Sequence, residues 1–553
     1  MRFRLITSLF LLGLSAGPVL SQGLAGPYLA ASRANIEGDF LAAADFYAAA
    51  VQADPENPLL RQNALVSYIS AGEFQLARGM AETFSPGQNL YADLVLMTDQ
   101  AAKGNYQSAL DILPKDNPAF ASLLSGLIEG WLEVGVGNSA QGYAIFDSQA
   151  NNDSIRIYGQ YHKALAMAYN GELEEALAII DADGEPLHLN RNSVRAHAEI
   201  LSALGRNEEA LAILNTVGIR GTDGELFNNL RSRIEAGETL AFEQIAAPAH
   251  GMAGAFLMLG EALTREDPNR LGLFYTRLAQ QLRPDFVETL ITTAGILERE
   301  GQYTLAAETF ARVPAGSAFY KDAVIGRADT LRPSGDIDGA TETLIDLADR
   351  YPNDINVLNA LGDIYRGVEN WVDAANAYTR AIDNLDNPQQ PFWVLFYTRG
   401  ISYERTDQWP LAESDFRTAL ELSPDQPAVL NYLGYSYVEK GINLEEAQQM
   451  IETAVAGDPN NGYIRDSLAW VLYRLGKFEE AVPHMERAAQ QLPLDPVIND
   501  HLGDVLWKVG RKTEARFQWR RALSFEPEDA DLERIKRKLE VGLDQVLDEE
   551  ATN

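Results

Sequence analysis

The sequence predicts an all-α fold, a solenoid of stacked helix-turn-helix hairpins, from three observations. Fourteen residues, "LAWVLYRLGKFEEA" at 468–481, return 34 positions later as "LGDVLWKVGRKTEA" at 502–515. Their small residue belongs to a longer series, Gly260, Ala294, Ala328, Gly362, Gly400, Gly434, Ala469 and Gly503, spaced 34, 34, 34, 38, 34, 35 and 34 residues apart. Within each copy the apolar residues fall at helical spacing and on two sides. A hairpin that is apolar on two sides cannot bury both alone, so neighbours must stack.

One unit shows the pattern. In "VLNYLGYSYVEKG" (429–441), Leu430, Leu433, Gly434 and Tyr437 share one helical face, and Gly441 stops the helix. A second helix carries Ala447, Ile451 and Ala454 on one stripe before Asp458-Pro459 breaks it. Gly434 is expected to be small because the second helix of its own unit approaches there. Ala454 is expected to be small to admit the first helix of the next unit.

Upstream the pattern continues with looser spacing. "SRANIEGDFLAAADFYAAAVQADP" (32–55) is a good unit, followed by "YISAGEFQLA" (68–77), "DQAAKGNYQSAL" (99–110), "WLEVGVGNSA" (131–140), "AMAYNGELEEAL" (166–177) and "ILSALGRNEEAL" (200–211). The predicted organisation is a degenerate N-terminal array over 25–215, an irregular or degenerate unit or hinge over 216–252, and a regular array over 253–528. A capping helix with a basic outer face and an acidic, frayed tail close the chain over 529–553. The "DNLDNPQQPF" stretch (383–392) lengthens one inter-unit loop by four residues.

The unit resembles the tetratricopeptide repeat (TPR), whose signature is W-x2-L-G-x2-Y, A-x3-F, A and P. "LGDIY" (361–365), Ala374, Tyr378 and Ala381 match it, as do "LGDVL" (502–506), Ala515, Trp519, Ala522 and Pro527. The resemblance implies a right-handed superhelix that binds proteins on an inner wall lined by the first helices. Phased that way, the wall carries Asn359, Asp363, Tyr397, Asn431, Tyr435, Asp466, Trp470, Tyr473, Asp500, Asp504 and Trp507. Packing between units is the competing assignment for the tryptophans. The wall is acidic, which favours a basic or neutral ligand. The clamp that captures an acidic peptide C-terminus in this family needs Lys and Asn at such slots, where this chain has Asp, Asn and Tyr. The C-terminal units also resemble bacterial envelope TPR adaptors that assist carboxyl-terminal processing proteases. Those adaptors are lipoproteins, and this chain has no cysteine to acylate.

Composition narrows the function classes. With 79 acidic against 45 basic residues the formal net charge is −34, unlike a nucleic-acid binder. The absence of cysteine excludes disulfides, zinc–thiolate sites and cysteine nucleophiles. Arg2 and Arg4, the apolar "LITSLFLLGL" (5–14) and Val19 and Ser21 read as a signal peptide over 1–21, so export to a bacterial periplasm is expected. No membrane span, lipid anchor, metal or cofactor is expected. The "GLSAG" string (13–17) matches a nucleophile elbow, but it lies inside that segment. The acidic pairs in "GELEEA", "GRNEEA", "NLEEA" and "GKFEEA" recur just inside second helices, where Glu complements the helix dipole. The six histidines show no ligand spacing, and His197 is assigned to packing. The chain thus reads as a non-enzymatic scaffold or adaptor, monomeric or weakly associating. The alternatives are a subunit of an envelope or polysaccharide-export assembly and a hydrolase with an unrecognised site.

Overall fold

The computed structural model describes residues 23–552, apart from 116, 118, 119, 121, 150–152, 183–185, 217–220 and 267–270. The expected signal segment, 1–21, lies outside the described residues. Among those described, the chain forms α-helices and no strand. It divides into two compact units at Thr343/Leu344.

The second unit is a regular stack. Its hairpins are Ile355–Gly367 with Trp371–Asp383, Trp393–Glu404 with Trp409–Leu422, Pro427–Lys440 with Leu444–Gly457, Gly462–Arg474 with Phe478–Gln491, and Pro496–Lys508 with Lys512–Leu523. Local chemistry marks their ends. Asp354, Asn461 and Asp495 accept backbone N–H groups at first-helix starts, Pro427 and Pro496 occupy first positions, and Gly441 turns out of its helix at φ 66°. The Glu pairs 445/446 and 479/480 sit in first turns, and so do 174/175 and 208/209 in the first unit.

The small-residue series is explained by what faces it. A Cβ on Gly362 would lie 2.4 Å from the Tyr378 ring, on Gly400 2.7 Å from Phe416, on Gly434 2.8 Å from Ile451, and on Gly503 2.3 Å from Trp519. Carbon atoms rest at about 3.5–4.0 Å, so each glycine is the floor of a socket for a bulky residue of its own second helix. Tyr378, Phe416, Ile451 and Trp519 are fully buried there.

The tail is helical through Thr552, as Asp529–Val541 and Leu543–Thr552, with Leu543 and Val546 buried. This corrects the expected frayed end: two apolar anchors hold it on the last hairpin. Lys536 and Arg537 face solvent as expected, whereas Lys538 points inward and is fully buried.

The first unit begins as the same kind of stack, from Ala25–Glu37 to Asn207–Thr216. The 216–252 stretch supplies the Gly221–Glu235 helix, a non-helical strap over 236–247 and the start of the Pro248–Glu266 helix. The strap is fastened to the Arg191–Ala203 helix: Leu240 N donates to Ser202 Oγ at 2.9 Å and Glu243 N to Glu199 Oε2 at 3.2 Å. Leu240 and Ile245 of the strap are buried. The chain then turns back on itself. Pro248–Glu266 packs on Ser122–Gly135 and Asp153–Tyr169, and Leu271–Leu282 packs on Leu90–Ala102 and Pro58–Ala71. Trp131, Met252, Phe256, Leu94 and Phe274 share one core. A repeat stack contacts nearest neighbours alone, so this closure departs from the linear array the sequence predicts. Its first helices are covered by the protein's own later helices.

Candidate protein-binding groove

In the second unit the first helices leave an open cleft of about 500 Å³. It runs obliquely across four of them, from Glu404 and Arg405 through Asn431, Tyr432 and Tyr435 to Asp466, Tyr463 and Val497. Three of the residues chosen from sequence, Asn431, Tyr435 and Asp466, meet there. Asn431 Oδ1 is buried and has no hydrogen-bond partner within the protein. Tyr435 is half-buried; burial, and then the charges of Glu439 and Asp466, push its phenol above the ordinary value, so it stays protonated as a donor.

The walls carry an acidic excess, with Glu404, Glu439, Asp466 and Asp495 against Arg405 and Lys440. Much of this charge is already engaged. Glu439 Oε1 accepts Trp470 Nε1 at 3.1 Å, and Asp466 meets His501 Nδ1 at 3.0 Å. Asp495 caps its helix through Ile498 N at 3.0 Å. The Lys440 and Arg405 cations lie over the Trp409 and Trp371 rings, at 4.8 and 5.6 Å.

Other residues expected on the wall are turned to packing. Trp470 lies flat against His501 and Tyr473, with centroids at 3.9 and 4.7 Å, and is 9% exposed. Asp500, Asp504 and Trp507 are covered by the tail helices. Lys538 Nζ donates to both aspartates, Trp519 Nε1 donates to Asp504, and Trp507 Nε1 donates to Asp544. The last hairpin has an exposed end of stack, and the tail buries it with a matching cation. These residues, which the sequence phasing assigns to a ligand, are therefore engaged within the chain. Tyr397 belongs to a cluster with Trp393, Phe416 and Tyr432. Asn359 and Asp363 bond to each other at 3.1 Å, and Asp363 also accepts the Tyr378 hydroxyl at 2.8 Å.

Sequence phasing misses the ends of the groove, Glu404, Glu439, Tyr463 and Val497, because it assumes a wall parallel to the stack. One signal was present. Tyr463 and Val497 occupy the same repeat position 34 residues apart, and they are 59% and 43% exposed. Large apolar residues at a first-turn position that the core does not use are unexpected on a solvated face. Among the described residues no cluster of three or more His, Asp or Glu is arranged to hold a metal.

Against known families, the tetratricopeptide repeat matches residues 357–390, and again 397–462, 443–496 and 467–531. These residues are tetratricopeptide repeats. A TPR repeat-containing protein of Pseudomonas aeruginosa is 25% identical over 191 residues, 34% of this chain. The aligned region spans about a third (31%) of that relative's length. Solved structures that this chain resembles include the Cut9–Hcn1 hetero-tetramer of the APC/C, 13% identical over 94% of this chain and 96% of that one, TM-score 0.40. Yeast Tom70 is 13% identical over 94% and 95%, TM-score 0.36. A tetratricopeptide repeat protein of Parabacteroides merdae is 18% identical over 46% of this chain and 98% of its own, TM-score 0.38. The cleft lies on the first helices of the matched TPR hairpins.

Proposed function

We propose that the protein is a non-enzymatic scaffold whose second unit holds an extended segment of a partner protein in the cleft between Glu404 and Val497. The observation that carries this is the acidic, tyrosine-lined groove, whose wall carries the Asn431 amide and the protonated Tyr435 phenol. An extended backbone offers N–H and C=O groups that pair with an amide and a phenol on such a wall. Protonated phenols add contact area at small entropic cost, and the acidic excess selects a segment carrying Lys or Arg. TPR hairpins ordinarily serve as binding surfaces, which supports protein binding over catalysis.

The basic, apolar and small-residue succession of 1–21 supports an exported, periplasmic protein. In that compartment a client-presenting adaptor for envelope proteolysis is the role we assign to the cleft. A subunit in a stable envelope assembly would differ by co-purifying in fixed stoichiometry.

The test is selection from a random peptide library on the purified protein and on an Asn431→Ala/Tyr435→Ala variant. The expected result is enrichment of extended peptides with a basic residue beside an apolar one, bound at least tenfold more weakly by the variant. Equal retention by both proteins would remove the cleft from the reading.

A further inference from the structure

In the first unit, the Pro58–Ala71, Leu271–Leu282 and Tyr303–Ala311 helices border a cavity of about 250 Å³. Arg277 lines it and is 7% exposed. Its Nη1 donates to Gln280 Oε1 at 3.1 Å and its Nη2 to the Ser70 carbonyl at 3.4 Å, while Nε has no acceptor. Among the described residues no carboxylate lies within ion-pair distance of it. Three other cations with little exposure are treated differently: Lys538 meets two aspartates, Arg399 meets Asp415 and Arg195 meets Glu199.

A second guanidinium shares the space. Arg312 lines the same cavity, is exposed, and makes no ion pair among the described residues. Burial and then the Arg312 charge lower the Arg277 pKa to about 10, so both remain cationic at neutral pH. Glu308 is on the wall but beyond ion-pair distance of either, which leaves a positive excess. In a chain of net charge −34, a buried cation facing another without a counter-charge runs against composition.

The surroundings hold Arg277 in place. Ser70 and Gly72 form the C-terminal end of the Pro58–Ala71 helix, whose dipole offers about half a negative charge. Gly72, at φ 89°, has no side chain, and a Cβ there would stand 3.3 Å from the Arg277 Cζ. Gln280 is fixed in turn by Thr289 and Thr293. The dipole offsets part of the burial cost and leaves the rest of the fork unspent.

We propose that this cavity binds a small oxyanion, a phosphate or carboxylate group, gripped by Arg277 and Arg312. The planar fork of arginine suits paired oxygens. The volume fits a small ion or a metabolite headgroup, below the usual range for drug-sized ligands. A bound anion links Arg277 to Arg312, 35 residues later, and so holds in place the side chain whose bond to Ser70 already spans 207 residues. It therefore stabilises the closure of the first unit.

The experiment is titration calorimetry and thermal melting of the full chain with sodium phosphate and with sodium succinate, ionic strength held by sodium chloride. We expect saturable binding of at least one anion with a Tm rise that saturates alongside it. Arg277→Gln abolishes both, and Arg312→Gln weakens binding at least fivefold. Tighter phosphate binding assigns a phosphoryl group, and tighter succinate binding assigns a carboxylate. No saturable binding of either anion, or wild-type affinity in Arg312→Gln, overturns the proposal. Arg312 is exposed, so its variant decides the matter even if Arg277→Gln fails to fold.

Discussion

Lys538 Nζ stands 2.7 Å from Asp500 Oδ2 and 2.8 Å from Asp504 Oδ2, and no part of its side chain is exposed to solvent. The tail thus inserts a buried cation between two aspartates that an uncapped stack would present to a ligand, with Arg534 at 3.8 and 3.6 Å from the same two oxygens. Removing Lys538 leaves Asp500 to Arg534, and Asp504 to Arg534 and the Trp519 indole, so the loss lies below the about 3–5 kcal/mol of a buried charge left unpaired. Lys538→Met should lower the unfolding free energy of the second unit by about 1–3 kcal/mol, read from the shift of its urea midpoint. Six of the seven tryptophans lie in that unit, so fluorescence reads it directly. An unfolding free energy within about 0.5 kcal/mol of wild type would show the site to be solvated.

The socket beneath Ile451 gives a second test. Gly434→Leu brings a side chain to where even a Cβ meets Ile451 Cγ1 at 2.8 Å and the Ala447 carbonyl at 3.2 Å. Overpacking of this kind costs at least about 1–3 kcal/mol. Wild-type melting of the variant would contradict the packing.

Trp470 separates the packing and ligand assignments. Stacked between His501 and Tyr473, it should cost about 3–5 kcal/mol as Trp470→Ala in the ligand-free protein. A residue reserved for a partner would leave stability unchanged. Equilibrium unfolding without any peptide distinguishes the two.

Two histidines predict opposite pH dependences. Burial disfavours the His501 charge, but Asp466, with Asp500 and Asp504 behind it, outweighs burial and holds its pKa above the ordinary value of about 6.5. Its contribution is complete below about 6.5 and is lost as pH rises through the folded value. His501→Gln should abolish that alkaline loss in the second unit, as followed by tryptophan fluorescence. A loss unchanged in the variant would assign it to another group.

His162 runs the other way. It is buried against Trp131, whose Nε1 donates to His162 Nδ1 at 2.8 Å, and burial lowers its pKa to about 3. A depressed folded value means stability is intact above about 6.5 and falls as pH drops from there towards 3. The limiting slope is about 1.4 kcal/mol per pH unit. Hydrogen exchange across 122–135 should rise with acid in wild type and much less in His162→Gln, which keeps an acceptor for Trp131. Equal acid sensitivity in the two proteins would exclude His162.

The 34-residue period, the two-helix unit and the glycine sockets were all legible in the sequence. Each depends on residues within one or two turns, or on the partner about sixteen positions later in the same hairpin, as Gly503 meets Trp519. Asn431, Tyr435 and Asp466 were placed at the cleft for the same reason, since a regular repeat fixes which face looks inward. Tertiary structure decided which parts of that face stay open. The tail delivers Lys538 onto Asp500 and Asp504, and helices beginning at Pro248 pack over Trp131, more than 110 residues earlier. Such pairings leave no period in the sequence. They depend on apolar and charge complementarity between distant surfaces, which becomes definite when the chain closes on itself.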